Sequence, residues 1–109
     1  MTAQEVVARI QQALKEQNIA WRAQTVDTFK AGNPEALVRG IATTGMATFD
    51  VLKRAAGEGR NFVITHEPTF YNHNDQTAAL GNDATYQAKQ QFVKAQDMCI
   101  WRFHDHAHA

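Results

Sequence analysis

The chain has 109 residues, of which 44% are hydrophobic and 20% are charged, and this is the size and composition of one globular domain. Its 11 basic residues balance its 11 acidic residues, so neither a nucleic-acid-binding surface nor an acidic tail is expected. The single cysteine excludes an intrachain disulfide, and no apolar run approaches the ~18 residues of a membrane helix. Because the start also lacks a signal-peptide pattern, we expect a cytoplasmic protein with no membrane partner.

The first predicted element is a helix from about Ala3 to Gln17. Thr2 followed by Glu5 matches a capping box. Apolar residues then recur at helical spacing, at Val6, Val7, Ile10 and Leu14.

Two short strands are predicted next, near Gln24–Phe29 and Leu37–Thr43. The segment "WRAQTVDTFKAGNPEALVRGIATT" is rich in β-branched and aromatic residues, which favour strands. The "AGNP" between the two runs is typical of a turn. We therefore expect a hairpin-like connection here.

The second half of the chain alternates helices with apolar strands. A helix is predicted in "MATFDVLKRAAGEG", a strand in "NFVIT", a helix in "ATYQAKQQFVKAQ" with Asn82 or Asp83 as its cap, and a strand in "MCIWRF". Cys99, within the last run, is expected to be a buried and inert thiol. Crossover helices between parallel strands are the natural solution for this order. The prediction is one α/β domain over residues 1–109, a three-layer sandwich with a mixed, mainly parallel sheet and helices on both faces.

Candidate metal ligands follow both apolar strands. "FVIT" runs into His66 and Glu67, and "MCIWRF" runs into "HDHAH". In an open α/β sheet, sites form beyond the carboxyl ends of the strands, so we expect both clusters at one edge. Pro68 favours extended backbone at Glu67, from which His66 and Glu67 would diverge, as suits two ions ~3.5–4 Å apart. The alternative is that these are ordinary exposed loop residues.

The "HDHAH" segment has its own ambiguity. If it continues as a strand, His104, His106 and His108 share one face and Asp105 takes the other. An Asp105 carboxylate there would be costly to bury unless it were paired, and it could bridge two ions. The segment could equally be a solvated tail with adventitious metal affinity. Other catalytic patterns are missing, since the chain contains no serine and no glycine-rich phosphate loop.

The segment "VRGIATTGMATFDVLKRAAGEGRNFVITHEPTFY" resembles the dinuclear-metal-centre family called GTP cyclohydrolase type 2-like, or NGG-interacting-factor-three-like. In that family an apolar strand leads into a His-His-Pro motif. The resemblance covers most of the chain and corresponds to the N-terminal lobe of the family. It implies a ring-like homo-oligomer and a second lobe that supplies a later His and Glu.

By this resemblance, two divalent ions would be bound by His66, by Glu67 in place of the second histidine, and by Asp105. Glutamate is a harder ligand than histidine, and zinc, manganese, iron and magnesium are not distinguished. His73, His104, His106 and His108 have no assured counterpart in the family.

The leading hypothesis for function is a metal-dependent hydrolase acting on a small phosphoester or nucleotide-like substrate, with His73 or His104 as a proton shuttle. The alternatives are a metal- or partner-binding module without catalysis, or a family member with an incomplete site.

Overall fold

A computed structural model describes residues 1–67 and 84–108, although it does not describe the side chain of His108. Within these residues the chain forms three α-helices, four strands and a final 3₁₀ turn. Their bounds are α1 Ala3–Glu16, β1 Phe29–Gly32, β2 Ile41–Thr44, α2 Phe49–Gly57, β3 Phe62–Thr65, α3 Ala84–Ala95, β4 Cys99–Arg102 and the 3₁₀ turn His106–His108. None of these helices is both long and apolar enough to cross a membrane.

The described strands form one mixed sheet in the order β1-β4-β3-β2. β2 pairs in parallel with β3, and β3 pairs in parallel with β4. The predicted parallel neighbourhood of the strands that end at Thr65 and near Phe103 is therefore confirmed. β1 is antiparallel to β4, which makes the sheet mixed but mainly parallel, as expected.

Helices cover both faces of the sheet, as the strand sequences predict. On one face, α1 contributes Ala3 and Val7 to a cluster with Phe62, Cys99 and Trp101. On the other face, α2 and α3 cover the alternate strand residues. That second cluster contains Ala31, Ala47, Leu52, Ala55, Val63, Val93, Met98 and Ile100. The three-layer α/β fold is thus confirmed.

The capping box at the start of α1 is confirmed. The Thr2 hydroxyl accepts the Glu5 N–H at 3.2 Å, and the Thr2 N–H donates to the Glu5 carboxylate at 2.9 Å. The Thr48 hydroxyl caps α2 in a similar way by accepting the N–H of Val51 at 3.2 Å. The proposed caps of α3, Asn82 and Asp83, lie outside the described residues.

The hairpin prediction is wrong, and both early strands begin about four residues later than expected. β1 and β2 lie at opposite edges of the sheet because β1 pairs with β4. The "AGNP" turn instead leads the chain to the start of α1, where the N–H of Ala3 donates to the carbonyl of Ala36 at 3.0 Å. Gly32 ends β1 with a positive φ of 87°. A side chain there would collide with the carbonyl oxygen of Met98, so the position requires glycine.

Candidate metal site at the carboxyl ends of β3 and β4

Three chain segments meet at one edge of the sheet. β3 ends there at Thr65 and β4 ends there at Arg102, in register. Because β1 runs antiparallel to β4, its beginning lies at the same edge, where the N–H of Arg102 donates to the carbonyl of Thr28 at 3.1 Å. Residues 21–28, which precede β1, therefore face the two predicted ligand clusters.

His66 and Glu67 are fixed by their backbone. Their N–H groups donate to the carbonyls of Thr44 and Gly45 at 3.2 and 2.8 Å, which extends the pairing with β2 beyond the strand. The chain bends at this point, so the two side chains do not diverge as an extended chain would require. His66 Nε2 lies 4.0 Å from Glu67 Oε1, and side chains this close can serve one ion as well as two.

The His66 ring is oriented by the end of β4. Its Nδ1 lies 3.2 Å from the carbonyl oxygen of Phe103. Because a carbonyl oxygen can only accept, Nδ1 carries the proton and Nε2 carries the lone pair. A histidine held in this way by a backbone carbonyl has the tautomer and the support that metal-binding histidines usually have.

His104 lies directly against His66, with 4.5 Å between the two ring centroids. Its Nδ1 is 3.2 Å from Asp105 Oδ1. This carboxylate–histidine pair is also a familiar support for a metal ligand, because it presents Nε2 as the lone-pair nitrogen. The structure thus brings two imidazoles and the Glu67 carboxylate to the same edge.

The Asp105 carboxylate is largely engaged by the segment before β1. Its Oδ2 accepts the Thr25 hydroxyl at 2.8 Å and the Val26 N–H at 3.1 Å, and it lies 3.4 Å from the Arg22 guanidinium. The hydrogen bond from Thr25, together with those from His104 and Val26 and the charge of Arg22, holds the pKa of Asp105 well below its usual range despite the opposing effect of burial. Asp105 is therefore an ionised group that anchors this segment and orients His104.

The next histidine, His106, is part of the core. It is 2% exposed, and its ring stacks on Trp21 with 3.7 Å between ring centroids. Its Nδ1 lies 2.7 Å from Asp27 Oδ2, and its Nε2 accepts the N–H of Arg22 at 2.9 Å. Both ring nitrogens are thus bonded within the protein, so this arrangement gives His106 a structural role in place of metal ligation.

The predicted strand geometry of "HDHAH" does not apply. β4 ends at Arg102, and residues His106–His108 form a 3₁₀ turn, so the side chains do not alternate between two faces. His104 turns toward His66, while His106 turns toward Trp21. The side chain of His108 and the whole of His73 lie outside the described part of the structure, and their predicted roles stay predictions.

Asp27 is the residue of the candidate site that sequence reasoning missed. It is 2% exposed and accepts the backbone N–H groups of His104, Asp105 and His106 at 2.7, 2.8 and 2.8 Å. Burial raises the pKa of Asp27, but these hydrogen bonds and the one from the His106 ring outweigh burial and lower the pKa overall. The only signal in the sequence was one carboxylate inside the β-branched run "TVDTF".

A buried cation lies beneath the site. Arg102 is fully buried, and its Nε donates to the carbonyl of His66 at 3.0 Å. This hydrogen bond ties the end of β4 to the end of β3. The strand ends are therefore joined by side chains as well as by the sheet.

The fit to a metal is partial. The donor chemistry of His66, Glu67, His104 and Asp105 suits a divalent ion. However, among residues 1–67 and 84–108 no group of three or more His, Cys, Asp or Glu side chains is arranged closely enough to hold one. Cys99 is excluded as a ligand because it is buried in the core, where burial raises the pKa of its thiol to about 12.

The fold of this chain is also found in solved structures. The chain superposes on a Bacillus cereus protein related to NIF3 with a TM-score of 0.72 and 19% identity, covering 97% of this chain and 28% of that one. For reduced HcgD from Methanocaldococcus jannaschii the TM-score is 0.73 at 19% identity, covering 97% and 40%. For TTHA1606 from Thermus thermophilus it is 0.70 at 14% identity, covering 100% and 42%.

These similarities confirm the fold implied by the resemblance to the NGG-interacting-factor-three-like family. The chain spans less than half the length of each of these structures. No protein-family model matches the sequence, and no curated protein matches it significantly.

Proposed function

We propose that the chain binds divalent metal ions at the carboxyl ends of β3 and β4. The observation that supports this most directly is the placement of His66 against His104, each with Nδ1 engaged by an acceptor that fixes the tautomer. Glu67 would add an oxygen ligand, because its carboxylate lies 4.0 Å from the His66 ring. Similarity of fold to a NIF3-related protein points the same way.

The identity of the third ligand separates two versions of the proposal. The family resemblance favours Asp105, whereas the geometry favours His104, with Asp105 as its orienting partner. Isothermal titration of the His104→Gln and Asp105→Asn variants with Mn²⁺ and Zn²⁺ would decide between them. A ligand loss should abolish binding of one ion per chain, whereas loss of an orienting partner should weaken it by ~10–100-fold.

Glu67 offers the sharpest test of the site itself. Glu67→Gln should weaken metal binding with little effect on the fold, because a neutral amide is a poorer ligand and the side chain is 46% exposed. Glu67→His should retain binding and move the preference toward softer ions such as Zn²⁺. Glu35→Gln makes the same chemical change at an exposed residue away from this edge. Metal content and affinity that are equal in all four proteins would remove Glu67 from the site.

Hydrolysis of a phosphoester or nucleotide-like small molecule is the catalytic extension of this proposal. Bound divalent ions would supply an activated water and polarise a phosphoryl oxygen. The chain's own contribution would include Arg22, whose side chain is 60% exposed beside Asp105 and could attract an anionic substrate. If Asp105 is the third ligand, His104 would be the proton shuttle; if His104 is itself a ligand, His73, outside the described residues, would take that role.

Metal-loaded protein assayed against a panel of phosphodiesters and nucleotides tests this extension. Turnover that disappears in Glu67→Gln and persists in Glu35→Gln would support a hydrolase. Metal binding without turnover would favour the non-catalytic alternative, a metal- or partner-binding module. We also propose a homo-oligomer in the cytoplasm, for which light scattering of the purified protein is the direct test of assembly.

A further inference from the structure

One carboxylate organises the whole segment that carries His104. Asp27 Oδ1 accepts the N–H groups of His104 and Asp105, at 2.7 and 2.8 Å. Asp27 Oδ2 accepts the N–H of His106 at 2.8 Å and faces the His106 ring Nδ1 at 2.7 Å. Three consecutive backbone N–H groups therefore converge on one buried side chain, at the point where the chain leaves β4 and turns.

Further contacts join the segment that carries Asp27 to the segment that carries His104. In the tail, residues 104–106, the His106 ring accepts a hydrogen bond from the N–H of Arg22 and stacks on Trp21. In the loop, residues 21–27, the Thr25 hydroxyl and the Val26 N–H donate hydrogen bonds to the Asp105 carboxylate. Hydrogen bonds thus join the loop and the tail in both directions, with the buried Asp27 side chain at the centre.

We infer that Asp27 is the positioning residue of the candidate metal site. By fixing three successive N–H groups, it sets the backbone direction at His104 and so places that ring against His66. The inference rests on the proposed function only for what the site binds. The positioning itself concerns the geometry of the chain without metal, and it can be measured independently.

The Asp27→Asn substitution is a suitable perturbation because it changes almost no volume. An asparagine keeps one oxygen, which can accept two of the four donors. Its amide nitrogen would then face either the N–H and ring Nδ1–H of His106 or the N–H groups of His104 and Asp105, and two donors cannot bond each other. The tail must therefore release at least one of its anchoring contacts.

The control is Val93→Ala, which removes buried volume on the opposite face of the sheet, away from the loop and the tail. Both variants are compared with the wild type at a temperature where all three are folded. Two-dimensional NMR would report the ring-to-ring NOE between His66 and His104 and the exchange protection of the amides of residues 104–106. Titration with Mn²⁺ would report the affinity of the site.

We expect Asp27→Asn to lose the NOE and the amide protection and to bind Mn²⁺ ~10–100-fold more weakly, as when a supporting residue of a metal ligand is removed. Val93→Ala should keep the NOE and the Mn²⁺ affinity at wild-type values, and its tail amides should lose no more protection than the amides of β3. A folded Asp27→Asn variant with an unchanged NOE and protected amides would overturn the inference. If Asp27→Asn does not fold, the wild type decides, because rapid exchange of its three tail amides would show that they are not held.

Failure of the proposed function would look different. A wild-type protein that binds no Mn²⁺ but loses the NOE on Asp27→Asn substitution would refute metal binding and leave the positioning role of Asp27 intact.

Discussion

Replacing His106 with phenylalanine would separate its structural role from the metal role that its sequence pattern predicted. The side chain is 2% exposed and stacks on Trp21, and an aromatic ring at this position would preserve that stacking. It would remove the hydrogen bond to the Asp27 carboxylate and the one from the N–H of Arg22. The change therefore removes two polar contacts while keeping an aromatic ring, although the phenyl ring is somewhat larger than the imidazole.

The expected cost follows from the kind of each bond. A hydrogen bond to a charged group contributes about 1.5–3 kcal/mol and a neutral one about 0.5–1.5 kcal/mol, so the free energy of unfolding should fall by about 2–4 kcal/mol. For a domain of this size that is a loss of roughly 10 °C or more in Tm. The corresponding change at His104, His104→Phe, should cost less because that side chain is 25% exposed.

Urea unfolding followed by tryptophan fluorescence measures this difference directly, since Trp21 lies against the replaced ring. The m-value should stay constant if only stability changes. A His106→Phe variant that loses less than about 1 kcal/mol, or no more than His104→Phe, would refute the assignment of His106 to the core.

Further predictions address other parts of the fold. Cys99 should not react with a thiol reagent at pH 8 in the folded protein and should react once unfolded in urea, because it is buried and its pKa is raised to about 12. The folded pKa of Asp27 is lowered, so its stabilising effect is present above the unfolded pKa of ~3.9 and is lost as the pH falls through the folded pKa. In an acid titration, Asp27→Asn should therefore lose stability less steeply than the wild type. An identical dependence of stability on pH in the two proteins would contradict the lowered pKa of Asp27. Gly32→Ala should abolish or severely reduce soluble folded protein because its Cβ would collide with Met98, whereas Gly57→Ala, which has open space around it, should leave Tm unchanged or raise it. Equal melting temperatures for the two alanine variants would argue against the pairing of β1 with β4.

The sequence predicted the elements that depend on local periodicity and failed where a distant partner decides. The capping box of Thr2 and the apolar runs of β3 and β4 are local signals, and these elements were found as expected. The parallel order of β3 and β4 followed from the crossover helix, and it brought His66 to the same edge as Asp105.

The late start of β1 and the missed carboxylate have one physical cause. Residues 24–28 include three β-branched residues, but polar groups in this segment bond to the tail, as when the Thr25 hydroxyl and the Val26 N–H donate to Asp105. The strand therefore begins only at Phe29. Asp27 bonds residues 77–79 positions away, and no pattern within a short window of sequence signals such a partner.

The loop and the tail lie far apart in the sequence, and this separation bears on the order in which the chain folds. His106 bonds Asp27 across 79 positions and Arg22 across 84, so closing these contacts confines nearly the entire polypeptide and carries one of the largest loop-closure entropies available to it. We expect contacts of this span to form late, after the parallel strands and their helices have brought the loop and the tail together. On this expectation a partly folded chain would not present the candidate site, and a bound ion would stabilise folded molecules without directing how they fold.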